Sequence, residues 1–496
     1  MGLYEGRLGT LVAQMNTLQR LLKNTVAMSA TSFLRLGVGL ILTIYIARDL
    51  GPEFLGKYAL LVAYINIFQI LAEAGIPRLV TREVARAPEE SGHYFWNALA
   101  IECACSLLAA GAMITVVELL GYPADTTLML YLAIGALPGH AVLSAGGAIL
   151  QAHERMEIST VAEIVSSVGQ LVLTILVLRA GYGVVGLALV KVLGFALIAA
   201  VNLIAVWRLR LVGRPRFDLR FGWSLLRQSG NILLMAIFGA VLLRLDVLII
   251  TQLWGEAVTG VYNAAYQLVK AFVLLVWAFA DAIYPILSRF YRQGADRIRS
   301  ALTQSFQYGA LLILPLAVAA TLLASPVIRL VYRDESYVAA AWALRLLIWS
   351  LIPFFGHTVL VRVLIAGDRQ DLASRIEGAV LAAAIVYQVA LTYFFGLIGA
   401  SLAATVVFGT AVALSWRTVS RLIGRPALPW AQWGRTTAAA LGMGVCLWLL
   451  RGMPLWVTVP AGAVVYCLLA LATRAFRIED FRLLMSFRRA GQQPGS

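Results

Sequence analysis

Charge is scarce in this sequence: Asp, Glu, Lys and Arg make up 13% of 496 residues, about half their share in a soluble domain. With 61% hydrophobic residues and a mean hydropathy of +0.83, this deficit excludes a soluble globular protein. Cysteine is equally sparse. Cys103, Cys105, Cys446 and Cys467 all lie in apolar stretches without metal-ligand or redox spacing, so neither a metal centre nor a disulfide scaffold is expected. Long polar connections are missing too, and with them any soluble catalytic domain, Gly-rich phosphate loop or nucleotide-binding segment. No cofactor is implied, and an enzyme is not the expected reading.

What is present is apolar sequence in lengths that cross a bilayer. Fourteen segments of the size of a spanning helix can be placed, at about 25–47, 57–75, 95–117, 127–150, 161–177, 184–206, 231–252, 260–283, 301–324, 338–360, 372–393, 397–416, 437–450 and 455–473. The fold class is therefore an all-α polytopic membrane protein. The first segment reads as a span and not as a signal peptide, because an Arg48-Asp49 pair follows it where a cleavage site would need small residues.

Basic residues orient the chain, since cytoplasmic loops retain Lys and Arg. In the fourteen-span reading 29 of the 40 fall on the side of the N-terminus, 6 on the other side and 5 inside spans. Both termini are expected in the cytoplasm of a bacterial inner-membrane protein. The net charge of +15 is then the positive-inside asymmetry together with attraction to anionic lipid, and nucleic acid is not an expected partner. Leu8, Leu11, Met15, Leu18 and Leu22 recur at helical spacing among polar residues, so 1–23 reads as an amphipathic cytoplasmic helix.

The sequence repeats itself. Gly51 to Tyr58 (GPEFLGKY) has a counterpart in Gly255 to Tyr262 (GEAVTGVY), an offset of 204. Gly183 to Ala188 resembles Gly396 to Ser401, and Pro138 with His140 resembles Pro353 with His357. Six spans per copy give both copies the same orientation. The expected organisation is an N-lobe over 24–210, a basic linker at 211–222, a C-lobe over 223–425, two further spans in 426–475 and a basic tail from 476 to 496.

Five cations, Arg35, Lys191, Arg244, Lys270 and Arg345, lie inside spans, where an ionised group costs about 2.5–3.5 kcal/mol even on the insertion scale. Such residues require a hydrated cavity, an acid or an anionic ligand. Lys191 and Arg345 are near enough to span ends to snorkel, and Asp246 is a charge partner for the group, facing Lys270 or a neighbouring lobe. Glu73 and Glu102 lie towards the cytoplasmic ends of their spans and with Arg78 and Arg82 form a candidate gate; Glu163 and Glu377 lie at the same depth, either as part of that ring (with Arg375) or, as their position favours, as solvated acids at the membrane boundary. His140 and His357, each beside a proline, are candidates for proton coupling or structural histidines.

The stretch Ile46 to Pro52 (IARDLGP) with Gly56-Lys57-Tyr58, the run Glu73 to Ile76 (EAGI) and Arg82 downstream resemble the polysaccharide transporter family of the multidrug/oligosaccharidyl-lipid/polysaccharide exporter superfamily. The resemblance extends over nearly the whole chain. It implies a flippase that moves isoprenoid pyrophosphate-linked oligosaccharide from the inner to the outer leaflet for O-antigen or exopolysaccharide biosynthesis. It also implies contact with membrane lipids and, as further partners, a polysaccharide polymerase and a chain-length regulator. A pyrophosphate is the kind of polyanion that buried Lys and Arg stabilise, and transporters built from parallel repeats hold substrate near the midplane between lobes. Drug or organic-ion export within the same superfamily, or a membrane glycosyltransferase or ligase, are the alternatives.

Overall fold

The structure is a computed structural model that describes the backbone from Gly2 to Phe476 and the side chains from Leu34 to Phe476. The amphipathic face expected for 1–23 and nearly all of the basic tail lie outside the described residues. Every regular element among the described residues is helical. Ten helical segments are long and apolar enough to cross a membrane, which establishes a multi-pass membrane protein.

The three longest of those ten, at 40, 75 and 54 residues, are at least twice the length that one crossing of a core about 30 Å thick needs at 1.5 Å per residue. Each contains one glycine with non-helical torsions. Gly51 (φ 80°, ψ −176°) interrupts α1 (Gly2–Glu73), Gly255 (φ 82°, ψ 176°) interrupts α9 (Leu245–Gln293), and Gly396 (φ 55°, ψ −131°) interrupts α13 (Gln370–Ile423). The repeated stretches 51–58 and 255–262, which fall at the junctions between expected spans, are thus helical apart from the one kinked glycine in each. The chain divides into two compact units, residues 1–252 and 253–496, with the division inside α9 and 30 residues beyond the basic linker.

Unit 1 contains α1, α2 (Ile76–Arg86), α3 (Ser91–Leu120), α4 (Ala124–Ala133), α5 (Ala136–Ala152), α6 (Met156–Arg179), α7 (Gly183–Arg208), α8 (Leu219–Leu242) and the first turns of α9. α2 is amphipathic: Ile76, Leu79, Val80 and Val84 are buried at helical spacing, while Arg78, Arg82 and Arg86 point outward or sideways. Its apolar face enters a core with Phe95 and Ala98 of α3, Ala145, Ala148, Ile149 and Leu150 of α5 and Val206 of α7. Small residues let α5 and α7 approach closely, as in membrane helix pairs generally; a Cβ on Gly146 would lie 3.1 Å from that of Asn202. Asn97 ties the linker to α3, donating to the carbonyls of His93 (2.8 Å) and Arg216 (3.1 Å) and accepting from the Asp218 N–H at 2.7 Å.

Unit 2 contains the remainder of α9, then α10 (Ala295–Tyr332), α11 (Ala340–Leu347), α12 (Leu351–Ala366), α13, α14 (Trp430–Leu449) and α15 (Leu455–Ala472). α12 packs along α13. The last two helices join α10 through Leu323, Met443 and Leu447, and through Ala439, Ala470 and Leu311. The Tyr466 hydroxyl donates to the Leu311 carbonyl at 2.7 Å and the Trp433 indole to that of Phe306 at 3.2 Å, so these polar side chains are satisfied where no water would reach them.

Candidate functional site: intramembrane charges in each unit

In unit 1, α1 presents Arg35 to α6, where its guanidinium pairs with Glu163 at 2.9 Å. Both side chains are partly exposed, Arg35 by 58%, so the pair is accessible to exchange. Lys191 of α7 donates to the Gln170 carbonyl oxygen on α6 at 3.0 Å and stands 5.7 Å from the centre of the Tyr58 ring. Both of those partners are neutral. Arg244 follows α8 and is buried, and Asp246 accepts from the Val247 N–H at 2.8 Å at the start of α9.

The candidate gate residues separate. Arg82 engages its neighbour Glu83 at 2.7 Å, and Arg78 is exposed on α2, close enough for its charge to act on Glu73. Glu73, at the end of α1, lies 3.3 Å from Nδ1 of His140 on α5. Glu102 of α3 is fully buried beside this pair. The Ser144 hydroxyl, one turn along from His140, faces its carboxyl without reaching full hydrogen-bond geometry. Of the contacts expected between acids and arginines, Arg78 acts on Glu73, Glu73 also approaches His140, and Arg82 stays with Glu83 on α2.

In unit 2, Lys270 is half-buried on α9. Arg345 of α11 donates to the Ser325 hydroxyl at 3.0 Å and the Thr321 carbonyl at 3.3 Å, and lies 4.5 Å from the centre of the Trp342 ring. It is held by neutral groups of its own unit. His357 of α12 is bonded at both nitrogens, to Ser415 Oγ at 2.9 Å and Glu377 Oε1 at 3.1 Å, both on α13. Glu377, expected as part of the acid ring, is occupied by that histidine and not by Arg375.

Sequence reasoning missed the partners Gln170, Ser144 and Ser415, and also a separate ion pair in unit 2, Asp281–Arg362 at 2.5 Å. A signal existed for Ser415 and for the role of Glu377. Carrying the repeat beyond its glycines maps Glu163 onto Glu377 and Asn202 onto Ser415, at offsets of 214 and 213. The torsions support that register, since Gly183 (φ 56°) and Gly396 (φ 55°) are also 213 apart.

Residues 21–291 match the family described as polysaccharide biosynthesis protein, more than half of the chain. The chain belongs to that family. Within the polysaccharide biosynthesis family, two proteins of Haloferax volcanii are similar along almost their whole length. One, "Probable flippase AglR", is 24% identical over 90% of this chain and 95% of its own. The other, "Probable low-salt glycan biosynthesis flippase Agl15", is 22% identical over 89% and 93%. A second family model, MatE, matches residues 231–379. Among solved structures, the lipid II flippase MurJ in an inward closed conformation superposes with a TM-score of 0.76 at 14% identity, covering 90% of this chain and 99% of that one. An inward-facing multidrug resistance MATE family transporter gives 0.63 at 17% identity, over 79% and 96%. This member of the polysaccharide biosynthesis family therefore has the helical fold of those transporters.

Proposed function

We propose that the chain is a flippase for isoprenoid pyrophosphate-linked oligosaccharide, moving it from the cytoplasmic to the outer leaflet by alternating access and catalysing no reaction. The observation that carries this reading is family membership together with two relatives named as flippases that align over about nine-tenths of the chain. The isoprenoid tail stays in lipid; only the head group and sugars require a polar path. Supply of O-antigen or exopolysaccharide is the pathway assigned, in a bacterial inner membrane with both termini cytoplasmic, upstream of a polymerase and a chain-length regulator.

The intramembrane cations supply the chemistry for the pyrophosphate. Lys191 and Arg345 are held by neutral partners, so their positive charge is oriented without being cancelled by those contacts. Arg35 is reached by exchange, an incoming phosphate displacing Glu163 from a partly exposed pair. Arg244 and Lys270 complete the set, and Asp246 moderates it. Each bond from these cations to a phosphate oxygen is charge-assisted, roughly twice as strong as a neutral one, and a pyrophosphate offers more charged acceptor oxygens than a monophosphate for them to engage.

The test is translocation in proteoliposomes of a pyrophosphate-linked glycan against its monophosphate analogue. The wild type moves the first and not the second. Arg35→Ala and Arg244→Ala, at normal protein levels, reduce the rate. Full transport by both variants removes the anion site, and movement of an organic cation in place of the glycolipid replaces the reading with drug export, the activity that the MatE match brings into view.

A further inference from the structure

The repeat places His140 and His357 in equivalent positions of α5 and α12, yet the two histidines have different surroundings. In unit 2 the counterparts of Glu163 and Asn202, namely Glu377 and Ser415, close on the histidine from both sides. In unit 1 Glu163 has gone to Arg35, and Asn202 bonds Ser159 at 3.0 Å and the Leu143 carbonyl at 3.1 Å. His140 is left with Glu73. Next to that pair stands Glu102, 0% exposed, acted on by the Glu73 charge and faced by the Ser144 hydroxyl, whose approach falls short of full hydrogen-bond geometry.

A carboxylate buried at membrane depth, facing a second carboxylate and a single hydroxyl, is strongly disfavoured in its charged form. We propose that Glu73, Glu102, His140 and Ser144 form a proton-binding site in unit 1, with Glu102 as the acceptor and Glu73 as its access, and that His357–Glu377–Ser415 is a structural lock. Side-chain exposure falls from 30% at Glu73 to 10% at His140 and to nothing at Glu102, an inward path for a single proton. The proton arrives on one Glu102 oxygen and leaves from it, so no other group is altered.

The groups facing the site come from several elements. Glu73 of α1 acts on Glu102, Arg78 of α2 acts on Glu73, and Cys103 and Cys105 adjoin Glu102 on α3 itself. α5 contributes His140 and Ser144, α7 contributes the Phe195 ring at 5.3 Å from the imidazole, and α4 and α8, also packed on α3, place no charged side chain against Glu102 among the described residues.

The proposal rests on the flippase reading for its use, and two measurements keep the two apart. Infrared spectroscopy of the purified protein should show the band of a buried protonated carboxyl, lost in the isosteric Glu102→Gln and retained in Glu377→Gln; an unchanged band in Glu102→Gln overturns the site whatever the protein transports. In proteoliposomes an imposed proton gradient should accelerate glycolipid translocation. Glu102→Gln should lose that acceleration and Glu377→Gln keep it. Acceleration that survives Glu102→Gln, is abolished by Glu377→Gln, or follows a sodium gradient instead refutes the proposal. A wild type that moves no glycolipid while its band behaves as expected refutes the flippase reading alone.

Discussion

Replacing Gly51 by asparagine isolates the cost of a backbone conformation from the cost of a clash. At φ 80° and ψ −176° Gly51 occupies a region open essentially to glycine alone, and a Cβ built there meets nothing within 4 Å. Gly121, which ends α3 at φ 63° and ψ 51°, also has open space around it, but its torsions are the left-handed ones that asparagine adopts. Sterics are thus absent at both sites and only the torsions differ. Gly51→Asn should cost about 1–3 kcal/mol, a middle value of about 2 kcal/mol being a factor of about 30 in an equilibrium constant, while Gly121→Asn should cost distinctly less. Gly255 repeats the torsions and the open space of Gly51, so Gly255→Asn should match Gly51→Asn, and the double variant should show the sum because the sites lie in different units. The measurement is the fraction of monodisperse protein left after graded heating in detergent. Equal losses for Gly51→Asn and Gly121→Asn would refute the reasoning.

Other variants probe contacts of different kinds. Gly399→Ala should be far more damaging than Gly51→Asn, because its Cβ would lie 1.8 Å from the Leu391 carbonyl oxygen, a backbone atom that cannot swing away; loss of folded protein on expression reports it. Asn97→Ala removes three hydrogen bonds at a site 3% exposed and should cost about 2–3 kcal/mol, read as faster proteolysis within 211–218. Ser415→Ala leaves one nitrogen of a buried histidine unsatisfied, for about 1–3 kcal/mol, and should lower the melting temperature without touching the proton response. Asp218, which precedes α8, is held below the usual carboxylate range by the N–H groups of Phe221 and Arg220. Its cap is therefore present above the unfolded-state value and lost as the pH falls through the lower folded-state one, so amide exchange in the first turn of α8 should accelerate only at acid pH.

Much of the fold was legible in the sequence because membrane helices report themselves by length and composition. The duplicated glycines were legible as well, and Gly51 and Gly255 proved equivalent down to their torsions. Their consequence was not: a turn was expected where one residue suffices, since neither motif carries a signal that separates a loop from a kink. The buried cations could be found individually, but the partners of Lys191 and Arg345 are neutral residues that occur throughout any membrane protein. Glu163 and Glu377 looked alike as boundary acids. Only the fold reveals that one serves an arginine and the other a histidine.

The elbow between α1 and α2 has a mechanical meaning. Ala74 and Gly75 both have positive φ, and a Cβ on Gly75 would approach the Leu233 nitrogen to 2.9 Å and the Ser229 oxygen to 3.2 Å, so the turn rests on the bare backbone of α8. Two residues earlier is Glu73; two residues beyond the end of α8 is Arg244. The elbow is thus a fulcrum. A side-chain contact at this point could yield to a small movement of Glu73 by changing rotamer, but backbone seated on backbone has no rotamer to yield, so α1 and α8 can part or slide here only as whole helices.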